Sequence, residues 1–270
     1  HYMPNTGTEE APIGDTHECW AMLPAIAAVT ERVRVGSLVA PTSVHHPAIL
    51  ANRAATIDHV SNGRLTLGLG AGWQINEHCA YGIELEPPGP RVSRFDEAIR
   101  IVRSLLREER TDLHGEFYDV TDAPCEPKPV QSPLPILVGT GSPRMLRITA
   151  RHADEWNTWG GPEMAGGALA KLHTACEATG RDPASIRKSA QALVFPTDDP
   201  SFAATIRDGD MAARSIVGSG AAARLALDHL ALPVAGGIAA GAYTDSVVRD
   251  PVRLDVRHAR RDALAAFAGE

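Results

Sequence analysis

Apolar positions recur along the chain with two alternating periods, and the alternation itself predicts an architecture. Over residues 15–30, Trp20, Leu23 and Ala27 fall on one helical face, with Asp15 as a candidate N-cap and Glu18 at the reciprocating capping-box position. A strand is expected from Arg32 to Val39. Pro47 then suits a first helical position, and Leu50, Ala54 and Ile57 give the apolar face of a helix that stops before Ser61-Asn62-Gly63. Residues 64–70 read as a strand. From Ser93, the spacing of Phe95, Ile99, Val102 and Leu106 predicts a further helix, with Asp96 and Glu97 favourably placed in its first turn. Downstream the pattern continues as a strand over 135–138, a helix from Ser142-Pro143 to about Arg151, a strand over 155–158, a helix over 163–179 ended by Gly180, and a strand over 186–195.

Strands alternating with helices imply parallel pairing through crossover helices, hence an α/β fold: a doubly wound sheet or a closed (β/α)₈ barrel. Glycines fall at the carboxyl ends of different strands, at Gly70-Ala71-Gly72 and at Gly139-Thr140-Gly141, as expected for loops around a barrel mouth. No Gly-x-Gly-x-x-Gly opens a helix with an acidic residue about 20 positions later, which disfavours a Rossmann site. The expectation is one TIM-barrel domain over residues 1–270. Within it, residues 113–133 form a proline-rich excursion over the barrel face. The segment from Val234 onward is Gly/Ala-rich, then basic, and yields no clear element.

Charge narrows the partners. With 26 Lys+Arg against 33 Asp+Glu the formal charge is −7, and no run of basic residues offers the concentrated positive field that a nucleic acid or an anionic membrane surface needs. No uninterrupted apolar stretch approaches the roughly 20 residues required to cross a bilayer. Cys19, Cys79, Cys125 and Cys176 are far apart, without C-x-x-C spacing, and read as reduced thiols of a cytoplasmic protein. The expected partner is a small-molecule substrate.

Two segments could carry chemistry. In Gly139-Thr140-Gly141-Ser142-Pro143 the glycines permit close backbone approach and the following helix offers unpaired N–H groups, so the loop reads either as a phosphate cradle or as a plain strand-to-helix turn. Gly70-Ala71-Gly72-Trp73, followed by Gln74, Asn76, Glu77 and His78, could receive a planar heterocycle or could simply turn the chain, with Trp73 packed at a rim. His45-His46-Pro47 reads as the start of a helix rather than a metal site, because adjacent histidines point apart and no carboxylate stands at ligand spacing. No nucleophile elbow is present, and no metal centre is expected.

Read together, Thr16-His-Glu-Cys-Trp20, Arg34 to Val39, His46-Pro47-Ala48, Ala55 to Asp58, Gly63-Arg64-Leu65, Gly68 to Trp73, Pro133 to Gly141 and Ala153 to Asn157 resemble the luciferase-like monooxygenase superfamily, in particular its branch of oxidoreductases using the deazaflavin coenzyme F420. The resemblance runs from His1 to about Ala192. It implies a (β/α)₈ barrel of the bacterial-luciferase type, holding F420, or alternatively FMN, at the carboxyl ends of the strands. It also implies a bulge with a non-prolyl cis peptide near Leu38-Val39, supporting the cofactor ring. Cofactor contacts carried over from the family are His1, Leu38, Val39, Gly70, Ala71, Gly72, Trp73, Gly139, Thr140, Gly141 and Ser142. Glu77, the nearest carboxylate, and Trp156 complete the candidate set, and His1 is the candidate catalytic residue. The family's first strand, helix and second strand, on the order of 40 residues, have no counterpart before His1. Where some relatives carry a Glu after the glycine turn, this chain has Trp73.

The implied activity is hydride transfer between coenzyme F420 and a small, fairly apolar metabolite by a homodimeric enzyme. Two rivals are an FMN-dependent monooxygenase using O₂ and a non-catalytic barrel acting as a binding protein.

Overall fold

The computed structural model describes residues 1–5, 8–11, 13–196, 198–208 and 215–218, which fall into two compact units, His1–Glu155 and Trp156 onward. The segment from Val234 lies outside the described residues.

In the first unit the order is α1 (Cys19–Ala28), β1 (Val35–Gly36), β2 (Ala40–Pro41), α2 (Pro47–Val60), β3 (Leu65–Gly70), α3 (Ile75–Tyr81), α4 (Pro88–Arg107), β4 (Thr111–His114), β5 (Asp119–Ala123), β6 (Ile136–Gly139) and α5 (Pro143–His152). Strand β3 is central: β1 and β2 pair with it in parallel along one side, and β6 pairs in parallel on the other. Leu65, Leu67 and Leu69 are fully buried, as expected for a parallel strand covered by helices, and each burial contributes about 2 kcal/mol. The helical faces expected from the sequence meet this strand: Leu50, Ala54 and Ile57 from α2, and Phe95, Ile99, Val102 and Leu106 from α4.

Several boundaries differ from expectation, each for a local reason. Helix α1 is shorter than 15–30 because Glu18, not Asp15, is its N-cap, accepting from the Ala21 N–H at 2.7 Å. The single strand expected from Arg32 to Val39 is two short strands. Register passes from Gly36 opposite Thr66 to Ala40 opposite Leu69, so four steps on one strand oppose three on the other, a bulge that contains the cis Leu38–Val39 bond. Helix α4 starts at Pro88, five residues before Ser93. The proline-rich excursion holds an antiparallel β4–β5 hairpin, whose turn is tied down by Glu97: its carboxylate accepts from the N–H groups of Glu116, Phe117 and Tyr118 at 2.9–3.2 Å.

The second unit contains β7 (Glu155–Trp159, beginning on the last residue of the first), α6 (Pro162–Thr179), a 3₁₀ turn (Pro183–Ser185), β8 (Arg187–Gln191), β9 (Leu193–Pro196), α7 (Pro200–Asp208) and β10 (Ser215–Gly218). Strand β8 lies beside β7, and β9 pairs in parallel with β10. The strand expected over 186–195 is therefore two strands. Gly180 ends α6 in the left-handed conformation at φ 68°, the conformation a helix-terminating glycine supplies.

Candidate functional site

In the first unit, Pro41, Gly70 and Gly139 end three neighbouring parallel strands at the same edge, the end at which barrel enzymes place their sites. Val39, immediately after the cis bond, fits between two of them. A Cβ on Gly70 would come within 2.7 Å of a Val39 methyl, and one on Gly139 within 3.2 Å. These two glycines therefore have an internal reason, making room for Val39. Gly72 has another: its φ is +93°, and a Cβ there would strike the Ser43 hydroxyl. Leu38, on the other side of the cis bond, is exposed, and Ala71 is half-buried.

Helix α3 follows this turn and was not expected from the sequence, because its buried side is polar. Asn76, Glu77 and His78 are all at most 2% exposed. Their partners explain the burial. The Gln74 amide donates to the Met3 carbonyl at 3.0 Å, the Asn76 amide donates to the Pro4 carbonyl at 2.8 Å, and the Tyr2 N–H donates to Glu77 Oε2 at 3.0 Å. Three polar side chains thus stitch the segment His1–Pro4 onto the helix. The other Glu77 oxygen lies 2.9 Å from His1 Nδ1, and the His1 ring stands edge-on to Trp73, with centroids 5.4 Å apart. His1, Trp73 and Glu77, singled out separately in the sequence, are therefore one cluster; Trp73 is exposed and Glu77 is covered.

Under the turn, His78 Nδ1 is 2.7 Å from the Gln74 carbonyl, which can only accept, so Nδ1 carries the proton and Nε2 accepts from the Ser43 hydroxyl at 2.9 Å. Ser43 and His78 thus brace the turn from below; the sequence pattern named His78 only as a nearby polar group and did not point to Ser43. His46 accepts from the Ala48 N–H as the N-cap of α2, the helix-starting role expected for the His45-His46 pair. His45 accepts from the Trp20 indole N–H at 3.3 Å. Burial, reinforced by the charge of Arg53, lowers its pKa from the ordinary 6.5 to about 4, which keeps it neutral.

Gly139 to Ser142 lead into α5. Ser142 is its N-cap residue by position, yet its side chain makes no capping bond, and the first turn holds no acidic residue, only Arg144. Gly141 is exposed, and a Cβ on it would meet nothing within 4 Å. The Arg144 side chain ties the start of α5 to Gly89 and Ser93, and the Ser142 N–H donates to Thr140 Oγ1 at 3.4 Å, but no side chain caps the helix and nothing packs on Gly141; a bound anion would use the remaining N–H groups of the first turn and the dipole. The donor set fits a cofactor phosphate.

Trp156 lies in β7 of the second unit with no exposed surface, while Trp159 of the same strand is exposed. Of the thiols, Cys79 is exposed, Cys19 half-buried, and Cys125 and Cys176 buried, none in a disulfide. Among the described residues there is no cluster of three or more potential metal ligands, and no helix is long and apolar enough to cross a membrane.

The profile of the luciferase-like monooxygenase family matches residues 1–238. The chain belongs to this family. Among curated relatives, it is 34% identical over 185 residues to an F420-dependent glucose-6-phosphate dehydrogenase of Kineococcus radiotolerans, covering 67% of this chain and 54% of that one. The chain spans about half the length of the curated relatives it matches first. Among solved structures it resembles the monooxygenase RslO1 of Streptomyces bottropensis (TM-score 0.63, 26% identity, 78% of this chain and 71% of that one). It also resembles the coenzyme F420-dependent tetrahydromethanopterin reductase of Methanopyrus kandleri (TM-score 0.61, 20% identity, 68% and 57%). The fold is the luciferase-like α/β fold of the TIM-barrel type expected from the sequence.

Proposed function

We propose that the protein is an oxidoreductase that moves a hydride between coenzyme F420 and a small, fairly apolar organic metabolite. The observation that carries this reading is the strand-end edge of the first unit, where the His1–Glu77–Trp73 cluster and an uncapped helix N-terminus flank the Val39 bulge. The 34% identity to an F420-dependent dehydrogenase supports the deazaflavin reading, while a pyrimidine monooxygenase of Methylorubrum extorquens, also 34% identical, supports the rival.

When bound, the deazaflavin supplies the hydride-accepting or hydride-donating carbon. The chain's own residues would hold and orient it. The N–H groups of Gly141 and of the first turn of α5 would bind its phosphate, with the Ser142 N–H, which donates to Thr140 Oγ1 at 3.4 Å, beside them. Leu38, Val39 and the exposed face of Trp73 would support its ring, excluding water from one side. His1 would take or give a proton at Nε2, which has no partner among the described residues.

A titration of the protein with oxidised F420, followed by fluorescence, tests the reading, and micromolar or tighter binding is expected. Oxygen consumption with reduced FMN is the rival outcome, and its appearance without F420 binding would move the protein to monooxygenase chemistry. Binding of neither cofactor would leave a binding protein without catalysis.

The second copy expected for a homodimer has a candidate surface. Every residue of α1, CWAMLPAIAA, is apolar or small. Trp20, Leu23 and Ala27 face the core, while Met22 and Ile26 are exposed, as are Val29 beyond the helix end and Ile49 on α2. A helix apolar on both sides is normally covered on both. Sedimentation should give a dimer that Ile26→Glu converts to monomer; a wild-type monomer would refute it.

A further inference from the structure

We propose that Glu77 is the positioning residue of this site: its carboxylate fixes the His1 ring and keeps the ring proton on Nδ1, leaving Nε2 as the acceptor nitrogen. The inference rests on the reading of His1 as the proton-handling group, and it adds the residue through which that group is set.

The two oxygens of Glu77 are separately engaged, Oε1 with His1 Nδ1 at 2.9 Å and Oε2 with the Tyr2 N–H at 3.0 Å. An ionised carboxylate only accepts, so the proton between Oε1 and Nδ1 belongs to the histidine. A neutral His1 is then the Nδ1–H tautomer with its lone pair on Nε2, and a proton gained at Nε2 produces an imidazolium facing a buried negative charge. The carboxylate cannot swing away. Its side chain is 2% exposed, and it belongs to the first turn of α3, where a negative charge is favoured by the helix dipole. The neighbouring Gln74 and Asn76 amides hold Met3 and Pro4 onto the same helix. Trp73 closes the other side of the ring, edge-on at an interplanar angle of 81°. Glu77 thus tethers the ring and sets its tautomer, while Trp73 and the Gln74–Asn76 stitches help hold the ring in place. Metal-bound histidines use the same device, in which the hydrogen bond at one ring nitrogen decides what the other presents.

The substitution Glu77→Gln separates this role from a structural one. The Tyr2 N–H can only donate, so it retains the amide oxygen, and the amide NH₂ is turned toward His1 Nδ1. Nδ1 must then accept, and the ring proton moves to Nε2. Nitrogen-15 NMR of the histidine side chains, with His1 assigned by the signals lost in His1→Gln, reads this directly. Wild type is expected to show His1 protonated at Nδ1, and Glu77→Gln is expected to show it protonated at Nε2. A wild-type His1 protonated at Nε2, or the same tautomer in both proteins, would overturn the proposal; the wild-type spectrum decides even where the variant does not fold. Affinity for oxidised F420 is the separate readout. It should change by less than about threefold in Glu77→Gln: the family resemblance counts Glu77 among the cofactor residues, but its side chain is only 2% exposed and both its oxygens are taken by His1 and Tyr2, so it acts through His1 rather than on the cofactor. A larger loss would make Glu77 a cofactor contact and refute its placement as a residue acting through His1. Absence of F420 binding in wild type would count against the function proposed above and leave the tautomer result standing.

Discussion

The two ends of strand β3 are built from the same kinds of residue and do opposite things. At the end where β3 begins, Arg64 spends every donor inside the protein. Its guanidinium donates to the carbonyls of Ala27, Thr30, Val33 and Ser61 and to the Thr30 hydroxyl, all between 2.6 and 3.1 Å, and so closes the C-terminal end of α1. Beside it the fully buried Asp58 takes the backbone and side-chain amides of Gln131, at 2.9 and 2.7 Å, and the Leu65 N–H at 3.4 Å. At the end where β3 stops, Gln74 Oε1 and Asn76 Oδ1 are buried with no hydrogen-bond partner, Trp73 is exposed, and α5 starts uncapped. The saturated network closes one end of the strand, whereas at the other the polar groups are less completely paired and the exposed Trp73 and the helix start stay open to a ligand.

The contrast predicts which substitutions cost fold and which cost binding. The largest effect belongs to Arg64→Ala, which removes the donor from several part-buried carbonyls at once. Chemical denaturation should show a loss of about 4 kcal/mol, with hydrogen bonds to a charged group contributing roughly 1.5–3 kcal/mol each and not additively. Gly141→Asp should do the reverse. A carboxylate placed where the cofactor phosphate would lie should weaken F420 binding by at least about 100-fold, near 3 kcal/mol, while the melting temperature stays unchanged, because no protein atom lies within 4 Å of the added Cβ.

His45 sharpens the contrast with pH. Its folded-state pKa is about 4 against an ordinary 6.5, so between these values the unfolded chain binds more protons. Its contribution is fully present above pH 6.5 and is lost as pH falls toward 4. The charges around it are Arg53 and the amino group of His1, which oppose protonation, and Glu18 and Glu77, which favour it. Allowing for its partial exposure, the loss should be about 2 kcal/mol, and it should vanish from the difference curve between wild type and His45→Gln. The smallest effect is that of Trp73→Ala. The exposed indole contributes little to the fold, so stability should stay within about 0.5 kcal/mol, while F420 affinity falls about tenfold through lost stacking area.

Much of the fold was legible because apolar faces mark it. The periodicity placed α2, α4, α5, α6 and the strands β3, β6 and β7, and the family resemblance placed the Leu38–Val39 bulge and its cis bond. Helix α3 was illegible for the converse reason: its buried face is Asn76, Glu77 and His78, whose partners come from residues 2–4 and from Ser43, far away in sequence. The β4–β5 hairpin was hidden because the prolines that follow it, from Pro124 onward, make the whole segment read as a loop, and it is held by Glu97, a residue that the sequence assigns to helix α4. At the candidate site, residue types were readable, but their grouping was not. Nothing in the spacing of His1 and Glu77 shows that they touch, and the roles of Gly70 and Gly139 as space for Val39 emerge only when three strands are side by side.

The most direct test of the central claim is a calorimetric titration of the protein, in parallel, with F420 and with FMN, repeated on Gly141→Asp. The account predicts micromolar or tighter binding of F420, at least tenfold weaker binding of FMN, and loss of the F420 signal in the variant. Equal affinity of wild type and variant for F420, or no binding of either cofactor, would contradict it.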